Sequence, residues 1–162
     1  MEYKQTYIDG YNVLRKISRL ERLMKSNSDA APRSFMEFQR RRPRSKGHIT
    51  IVFDGHGDVI GAGSSVAVVF SLTRTADDWI RMNLEQHRHP RMVLVVSSDN
   101  EVRGHALECG SEVMSSQEFI ADRKTQKEDH TEMYLKTRPV PESEVRYWLN
   151  EFDEKGRESG KE

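Results

Sequence analysis

The stretch HITIVFD, residues 48–54, joins a run of apolar and β-branched side chains to an acidic residue at its end. Such a run is typical of a strand that is buried on both faces of a parallel sheet. Similar runs occur in three other places, and a shorter fifth strand is predicted at SEVMS, residues 111–115. The three other runs are TYID at residues 6–9, SVAVVFSL at residues 65–72 and RMVLVVSS at residues 91–98.

Helix-like segments separate these runs. Strands that alternate with helices predict an α/β fold with a central, mostly parallel sheet of four to five strands. The 162 residues suffice for one domain, which we expect to span residues 1–153 and to be followed by a flexible polar tail at residues 154–162. The helices are expected near residues 15–25, 34–42, 75–87, 101–108 and 117–127, with a C-terminal helix at residues 142–152.

Charge is distributed unevenly along a chain whose net charge is zero. Residues 1–48 carry 12 basic and five acidic side chains, a net of +7, whereas residues 49–162 carry 14 and 21, a net of −7. A basic insert at residues 31–48 contains six Lys or Arg side chains and one Glu. It predicts contact with a nucleic-acid backbone, although a solvated helix and loop fit the same composition. The predicted RNA-binding residues are Arg40, Arg41, Arg42, Arg44 and Lys46.

The single cysteine, Cys109, excludes an internal disulfide and any site that needs several cysteines. No stretch approaches the roughly 18 consecutive apolar residues of a membrane span, and the charged start MEYKQ lacks the apolar run of a secretory signal. We therefore expect a cytoplasmic protein with no membrane partner, in a reducing compartment. The sequence predicts no particular oligomeric state.

Acidic residues follow the predicted strands at the point where each strand ends. Asp9, Asp54 and Asp99 end the first, second and fourth strands, and Asp77 and Asp78 open the helix after the third. Each acid alone is explained as a helix cap, a first-turn residue or part of a turn. Because ligands of parallel sheets bind outside the carboxyl ends of the strands, the acids together predict a divalent cation site. Carboxylate oxygens suit Mg²⁺ or Mn²⁺ better than zinc.

Two family resemblances arise from these motifs. The run VFDGHGD resembles the manganese-binding motif of PPM-type protein phosphatases, but the chain is short for such a domain and carries no further phosphatase motif. The segments YIDGYNVLR, VFDGH, VFSLTRTADDWI, VVSSDNEVRGHALECGSEVMSSQEF and ESEVRYWLNEF resemble, in this order, the YacP-like NYN-domain proteins of the PIN-like nuclease superfamily. The resemblance covers roughly residues 6–153, and it implies a PIN-like three-layer α/β/α sandwich.

The same resemblance implies a metal-dependent endoribonuclease whose partner is RNA, with messenger RNA at the ribosome as one setting for its action. Its catalytic residues correspond to Asp9, Asn12, Asp77, Asp78 and Asp99, of which Asp9, Asp77 and Asp99 would hold Mg²⁺ or Mn²⁺. Additional candidates are Asp54, His56, Ser97 and Ser98. This chain reads FDGHGD where relatives often read FDAH.

Two other classes of function remain open from the sequence. One is a binding module for RNA or the ribosome with little catalysis, although such a module gains little from clustered acids. The other is a different α/β phosphotransfer domain such as a receiver, which would need a lysine after the last strand, where EVMSSQEF supplies none.

Overall fold

The computed structural model describes residues 3–41 and 47–122, all within the compact unit Met1–Gln126. The predicted C-terminal helix at residues 142–152, the predicted tail at residues 154–162 and the proposed domain boundary at residue 153 lie outside the described residues.

Five strands form one sheet in which all pairings are parallel. Their spatial order is β3-β2-β1-β4-β5. Every strand contains part of an apolar run quoted above, so the predicted parallel sheet is confirmed. The strands are β1 (Gln5–Asp9), β2 (His48–Phe53), β3 (Val66–Phe70), β4 (Val93–Val96) and β5 (Glu112–Met114).

Helices connect most of the strands. A short helix at Gly10–Leu14, which the sequence did not predict, comes first. The helix expected at residues 15–25 begins at Ser18, after Ile17, whose extended backbone with φ −106° and ψ 101° precedes the helix. The next helix starts earlier than expected, with Pro32 in its first turn, where a missing N–H costs nothing. The helices are α1 (Gly10–Leu14), α2 (Ser18–Ser26), α3 (Ala30–Arg40), α4 (Ala76–Glu85), α5 (Asn100–Glu108) and α6, whose described part is residues 116–122.

The sheet separates two hydrophobic clusters, because successive strand residues point to opposite faces. On β1, Ile8 packs in the cluster that includes residues of α1, α2 and α3, whereas Tyr7 packs in the cluster that includes residues of α4 and α5. The strand β4 alternates in the same way, with Leu94 in the first cluster and Val95 in the second. Helices therefore cover both faces, as expected for a three-layer α/β/α arrangement, and each fully buried aliphatic side chain stabilises it by roughly 1.5–3 kcal/mol.

The strand order places a switch point between β1 and β4. From β1 the chain moves outward through β2 to β3, and it then returns to the other side of β1 to form β4 and β5. Connections consequently diverge on either side of the β1–β4 pair, and in open parallel sheets ligands bind outside the carboxyl ends of strands at such a point. This edge is the place where the fold would receive a ligand.

Candidate functional site

Asp9 ends β1 at the switch point and is only 8% exposed. Its Oδ1 accepts a hydrogen bond from the backbone N–H of Asn12 at 3.4 Å, so Asp9 also caps α1. Its Oδ2 accepts a hydrogen bond from the Ser97 hydroxyl at 3.3 Å. The next residue is Gly10, where a Cβ atom would lie 2.6 Å from the Phe53 ring. A glycine is therefore required at this position, because the backbone at the start of α1 packs closely against the Phe53 ring.

Asp99 follows β4, the strand that pairs with β1. Its Oδ1 accepts hydrogen bonds from the backbone N–H groups of Glu101 at 2.8 Å and Val102 at 3.1 Å, so it caps α5, and its Oδ2 accepts no hydrogen bond from the described residues. The buried Ser97 hydroxyl accepts from the Asp99 N–H at 3.1 Å while it donates to Asp9. One serine thus joins the two strand-end acids, and capping is compatible with a role in the site.

Asp54 and Asp77 approach the same edge from β2 and from the start of α4. The Oδ1 atom of Asp54 accepts a hydrogen bond from the Ala76 N–H at 2.7 Å, which ties the end of β2 to the first turn of this helix. Thr75 caps α4 by accepting from the Asp78 N–H at 3.1 Å, and Asp78 is exposed. Asp54 therefore positions the helix that carries Asp77.

Two carboxyl groups at this edge titrate above their ordinary range. Burial raises the pKa of Asp9 from 3.8 to about 6, and the charges of Asp77 and Asp54 add to the rise against the two hydrogen bonds that lower it. Burial also raises the pKa of Asp77, followed by the charges of Asp99 and Asp54, while Arg81 acts in the opposite direction. The predicted acids are thus close enough to repel one another.

Asn12 belongs to a polar network that includes residues the sequence did not indicate. Its Oδ1 accepts from the Ser98 N–H at 3.0 Å and from the Ser116 hydroxyl. The Ser116 N–H donates to the Ser98 hydroxyl at 3.1 Å, and that hydroxyl donates to Gln117 at 2.8 Å. Both donors meet Oδ1, and the Asn12 amide nitrogen makes no hydrogen bond to the described residues. The only sequence signal for Ser116 and Gln117 is the run SSQEF, which carries no distinctive chemistry.

The remaining candidates within the described residues make no hydrogen bond to the acids discussed above. His56 is exposed in the loop after Asp54 and has no hydrogen-bond partner among the described residues. Arg40 donates to Glu37 at 3.1 Å and to the Ser64 hydroxyl at 3.3 Å. Ser64 precedes β3, so Arg40 lies at the amino-end edge of the sheet, opposite the acids; Arg41 directly follows it. Arg42, Arg44 and Lys46 lie outside the described residues.

The donor set suits the metal ions that the family resemblance implies. Carboxylate oxygens are hard ligands, and a cation would relieve the repulsion that raises the pKa of Asp9 and Asp77. Within residues 3–41 and 47–122, no three acidic, histidine or cysteine side chains are grouped closely enough to hold a metal by themselves. Binding of Mg²⁺ through one or two carboxylates, completed by water and substrate phosphate, fits this arrangement.

Comparison with known proteins agrees with this fold. The model of the YacP-like NYN domain family matches residues 6–158. A crystal structure of a mutant of Rae1 (YacP) from Bacillus subtilis aligns with a TM-score of 0.66 at 18% identity and covers 82% of each chain. Another crystal structure of Rae1 aligns with a TM-score of 0.62 at 19% identity, covering 98% of this chain and 92% of that one. No curated protein sequence matches the chain significantly.

Proposed function

The chain belongs to the YacP-like NYN family, and we propose that it is a metal-dependent endoribonuclease that hydrolyses RNA phosphodiester bonds. The NYN domain is a nuclease-type, PIN-like domain, which makes the function nuclease-like and related to RNA. The observation that carries the finer proposal is the convergence of Asp9, Asp54, Asp77 and Asp99 on the switch-point edge, where their charges act on one another. Repulsion among these acids lowers the stability of the protein, and an RNA-binding module without catalysis would gain nothing in return for that cost.

In the proposed mechanism, one or two carboxylates of the set Asp9, Asp77 and Asp99 would hold Mg²⁺ or Mn²⁺, with water and substrate phosphate completing the coordination. Such an ion, when bound, lowers the pKa of a water and neutralises charge that develops on the phosphate. The Ser97 hydroxyl orients the Asp9 carboxylate through its hydrogen bond. The Asn12 amide, oriented by its two donors, can donate to a phosphate oxygen.

Two further residues support these roles. Asp78 is exposed beside Asp77 in the first turn of α4, where it can orient a water molecule. Asp54 keeps the start of α4 at the end of β2 through its bond to Ala76. His56 is a less suitable proton donor to the leaving oxygen, because no described contact holds its ring towards the acids.

The proposed substrate is single-stranded or messenger RNA, and the proposed place of action is the cytoplasm, at the ribosome. The single cysteine, which cannot form an internal disulfide, supports a reducing compartment such as the cytoplasm. Among the described residues, no helix has both the length and the apolar character needed to cross a membrane. Co-sedimentation of the tagged protein with ribosomes in cell extract, before and after RNase treatment, tests the ribosome association.

The decisive experiment incubates the purified full chain with linear, structured and circular RNA in Mg²⁺, Mn²⁺ or EDTA. A circular RNA offers no end to an exonuclease, so its opening in Mg²⁺ or Mn²⁺, but not in EDTA, is the expected result. Tight RNA binding without cleavage under all conditions would favour the binding module. The absence of both binding and cleavage would contradict either function.

A further inference from the structure

Leu72 has a backbone conformation that its side chain makes unfavourable. Its φ is +62°, and among the described residues it is the one non-glycine residue with a positive φ. A branched side chain in this left-handed region places Cβ close to the following carbonyl oxygen, which is why glycine is the usual occupant. Leucine at this position is therefore a source of local strain.

The surrounding loop holds Leu72 in place by hydrogen bonds. Its N–H donates to the Gly55 carbonyl at 2.8 Å, and the N–H of Ser71 donates to the Phe53 carbonyl at 2.9 Å. The Ser71 hydroxyl donates to the Arg74 carbonyl at 2.6 Å, which closes the loop before α4. These bonds involve the backbone of Leu72 and not its side chain, so a glycine would satisfy them equally well.

Burial does not account for the leucine either. The residue is 54% exposed, so packing of its side chain offsets little of the backbone strain. Single exposed leucines are ordinary on protein surfaces, as Leu107 on α5 illustrates with 58% exposure and a helical backbone. Leu72 is distinguished by having both a strained backbone and an exposed side chain. Backbone strain that no packing of the side chain offsets is typical of functional positions.

The position of Leu72 relates it to the acids. The loop between β3 and α4 lies at the carboxyl-end edge of the sheet, and it leads into the helix turn that carries Asp77. The residue bonded to Leu72, Gly55, directly follows Asp54, whose carboxylate binds the start of the same helix. An exposed apolar residue thus lies at the same edge of the sheet as the acids, bonded through its backbone to the residue that follows Asp54.

We propose that Leu72 is a specificity-determining residue against which a nucleobase of the RNA substrate packs; this inference rests on the proposed function. Carboxylates repel the phosphates on either side of the scissile bond, whereas contact between an apolar side chain and a base is unaffected by that repulsion. The faces of bases are accessible in single strands and are stacked within a duplex, so the contact favours single-stranded RNA. The strain is the consequence of displaying a branched apolar group where the loop geometry favours glycine.

The test compares Leu72→Ala and Leu72→Gly with the matched control Leu107→Ala, using a single-stranded RNA of defined length. Both Leu72 variants should raise KM about fivefold, which corresponds to roughly 1 kcal/mol of weaker substrate binding, with kcat largely unchanged. The rise in KM should be the same at low and high salt, because no phosphate contact is removed. Leu72→Gly should melt a few degrees above Leu72→Ala, since glycine relieves the strain. The control should match the wild type.

The outcomes separate this inference from the proposed function. If the wild type cleaves RNA and both Leu72 variants keep its KM, the base contact is wrong while the nuclease stands. Unchanged RNA kinetics combined with a loss of ribosome association would replace the base contact by a protein contact. A steeper or flatter salt dependence in the variants would contradict an apolar contact. A wild type that neither binds nor cleaves RNA would overturn the proposed function and this inference together.

Discussion

The two edges of the parallel sheet differ in charge and in how their polar groups are held. The carboxyl-end edge carries Asp9, Asp54 and Asp99, each of which accepts backbone hydrogen bonds, and the charges of Asp99 and Asp54 act on Asp77. The amino-end edge carries Arg40, whose contacts are with exposed or half-buried side chains. In a parallel sheet, residues that follow strands collect at one edge and residues that precede strands collect at the other.

The separation of the edges bears on how RNA could bind. A strand of five residues is about 17 Å long, so an RNA that touches both edges must extend over at least about that distance. Within the basic insert, Arg41 and Gly47 are the described residues on either side of positions 42–46. Both belong to the amino-end edge, because α3 ends at Arg40 and His48 begins β2 there. We therefore expect the two edges to affect different steps: the acids should control cleavage, and the basic side chains should control only affinity for longer RNA.

The largest effect is expected from removing single charges at the carboxyl-end edge. Asp77→Asn and Asp99→Asn keep side-chain shape, and asparagine still caps α5, so both variants should stay folded. Cleavage should fall by about a hundredfold to a thousandfold, while RNA binding should be at least as tight because repulsion is reduced. The control is Gln86→Ala, at the far end of α4 near the amino-end edge, which should cleave normally. Full cleavage by both Asn variants would contradict the proposed site.

A second effect concerns the stability of the metal-free protein, measured by urea unfolding in EDTA. The pKa of Asp9 is about 6 in the folded state against an ordinary 3.8, so the folded protein binds this proton more tightly than the unfolded chain. The contribution of Asp9 to the free energy of unfolding therefore falls as pH rises from about 4 to about 7, by up to about 3 kcal/mol. Asp9→Asn should be increasingly more stable than the wild type across this window. A difference that does not change with pH would contradict the raised pKa.

A smaller effect should distinguish two buried serines that flank β5. Ser116→Ala removes a donor to Asn12 at the carboxyl-end edge, whereas Ser111→Ala removes a donor to the Pro90 carbonyl, 3.0 Å away, at the amino-end edge. Both variants should lose about 1 kcal/mol of stability. Only Ser116→Ala should also lose cleavage, by about tenfold in kcat with little change in KM. Equal activity of the two variants would show that the Asn12 network has only a structural role.

The smallest effect is expected at the amino-end edge. Replacing Arg40, Arg41, Arg42 and Arg44 with Ala should leave kcat at saturating RNA unchanged. If these side chains neutralise phosphates of a single strand, the slope of log K against log salt should flatten by roughly 0.7 for each phosphate that the variant no longer neutralises. Binding isotherms at several salt concentrations measure this slope. An unchanged slope would leave the insert without an RNA contact.

Much of the fold was predictable because its signals are local. Alternating apolar runs and helix-like segments predicted a mostly parallel sheet of four to five strands, and the structure has five strands, all of them parallel. The short helix α1 at Gly10–Leu14 was missed, and the helix predicted from residue 15 begins only at Ser18, after the extended backbone of Ile17. Ser116 was missed because its partner Asn12 lies 104 positions away in the chain and nothing local indicates the contact.

The order of residues along the chain is enough to place the acids at strand ends. Asp9 and Asp99 both follow an apolar run and precede a helix, and both cap that helix, which is a property of neighbouring residues. The difference between them arises from the way the strands assemble. The strand order places β1 between β2 and β4, so Asp9 is buried and its pKa rises, whereas Asp99, which follows β4, is only half-buried. Burial and charge depend on neighbours in space, and these are set by how strands from distant parts of the chain pair.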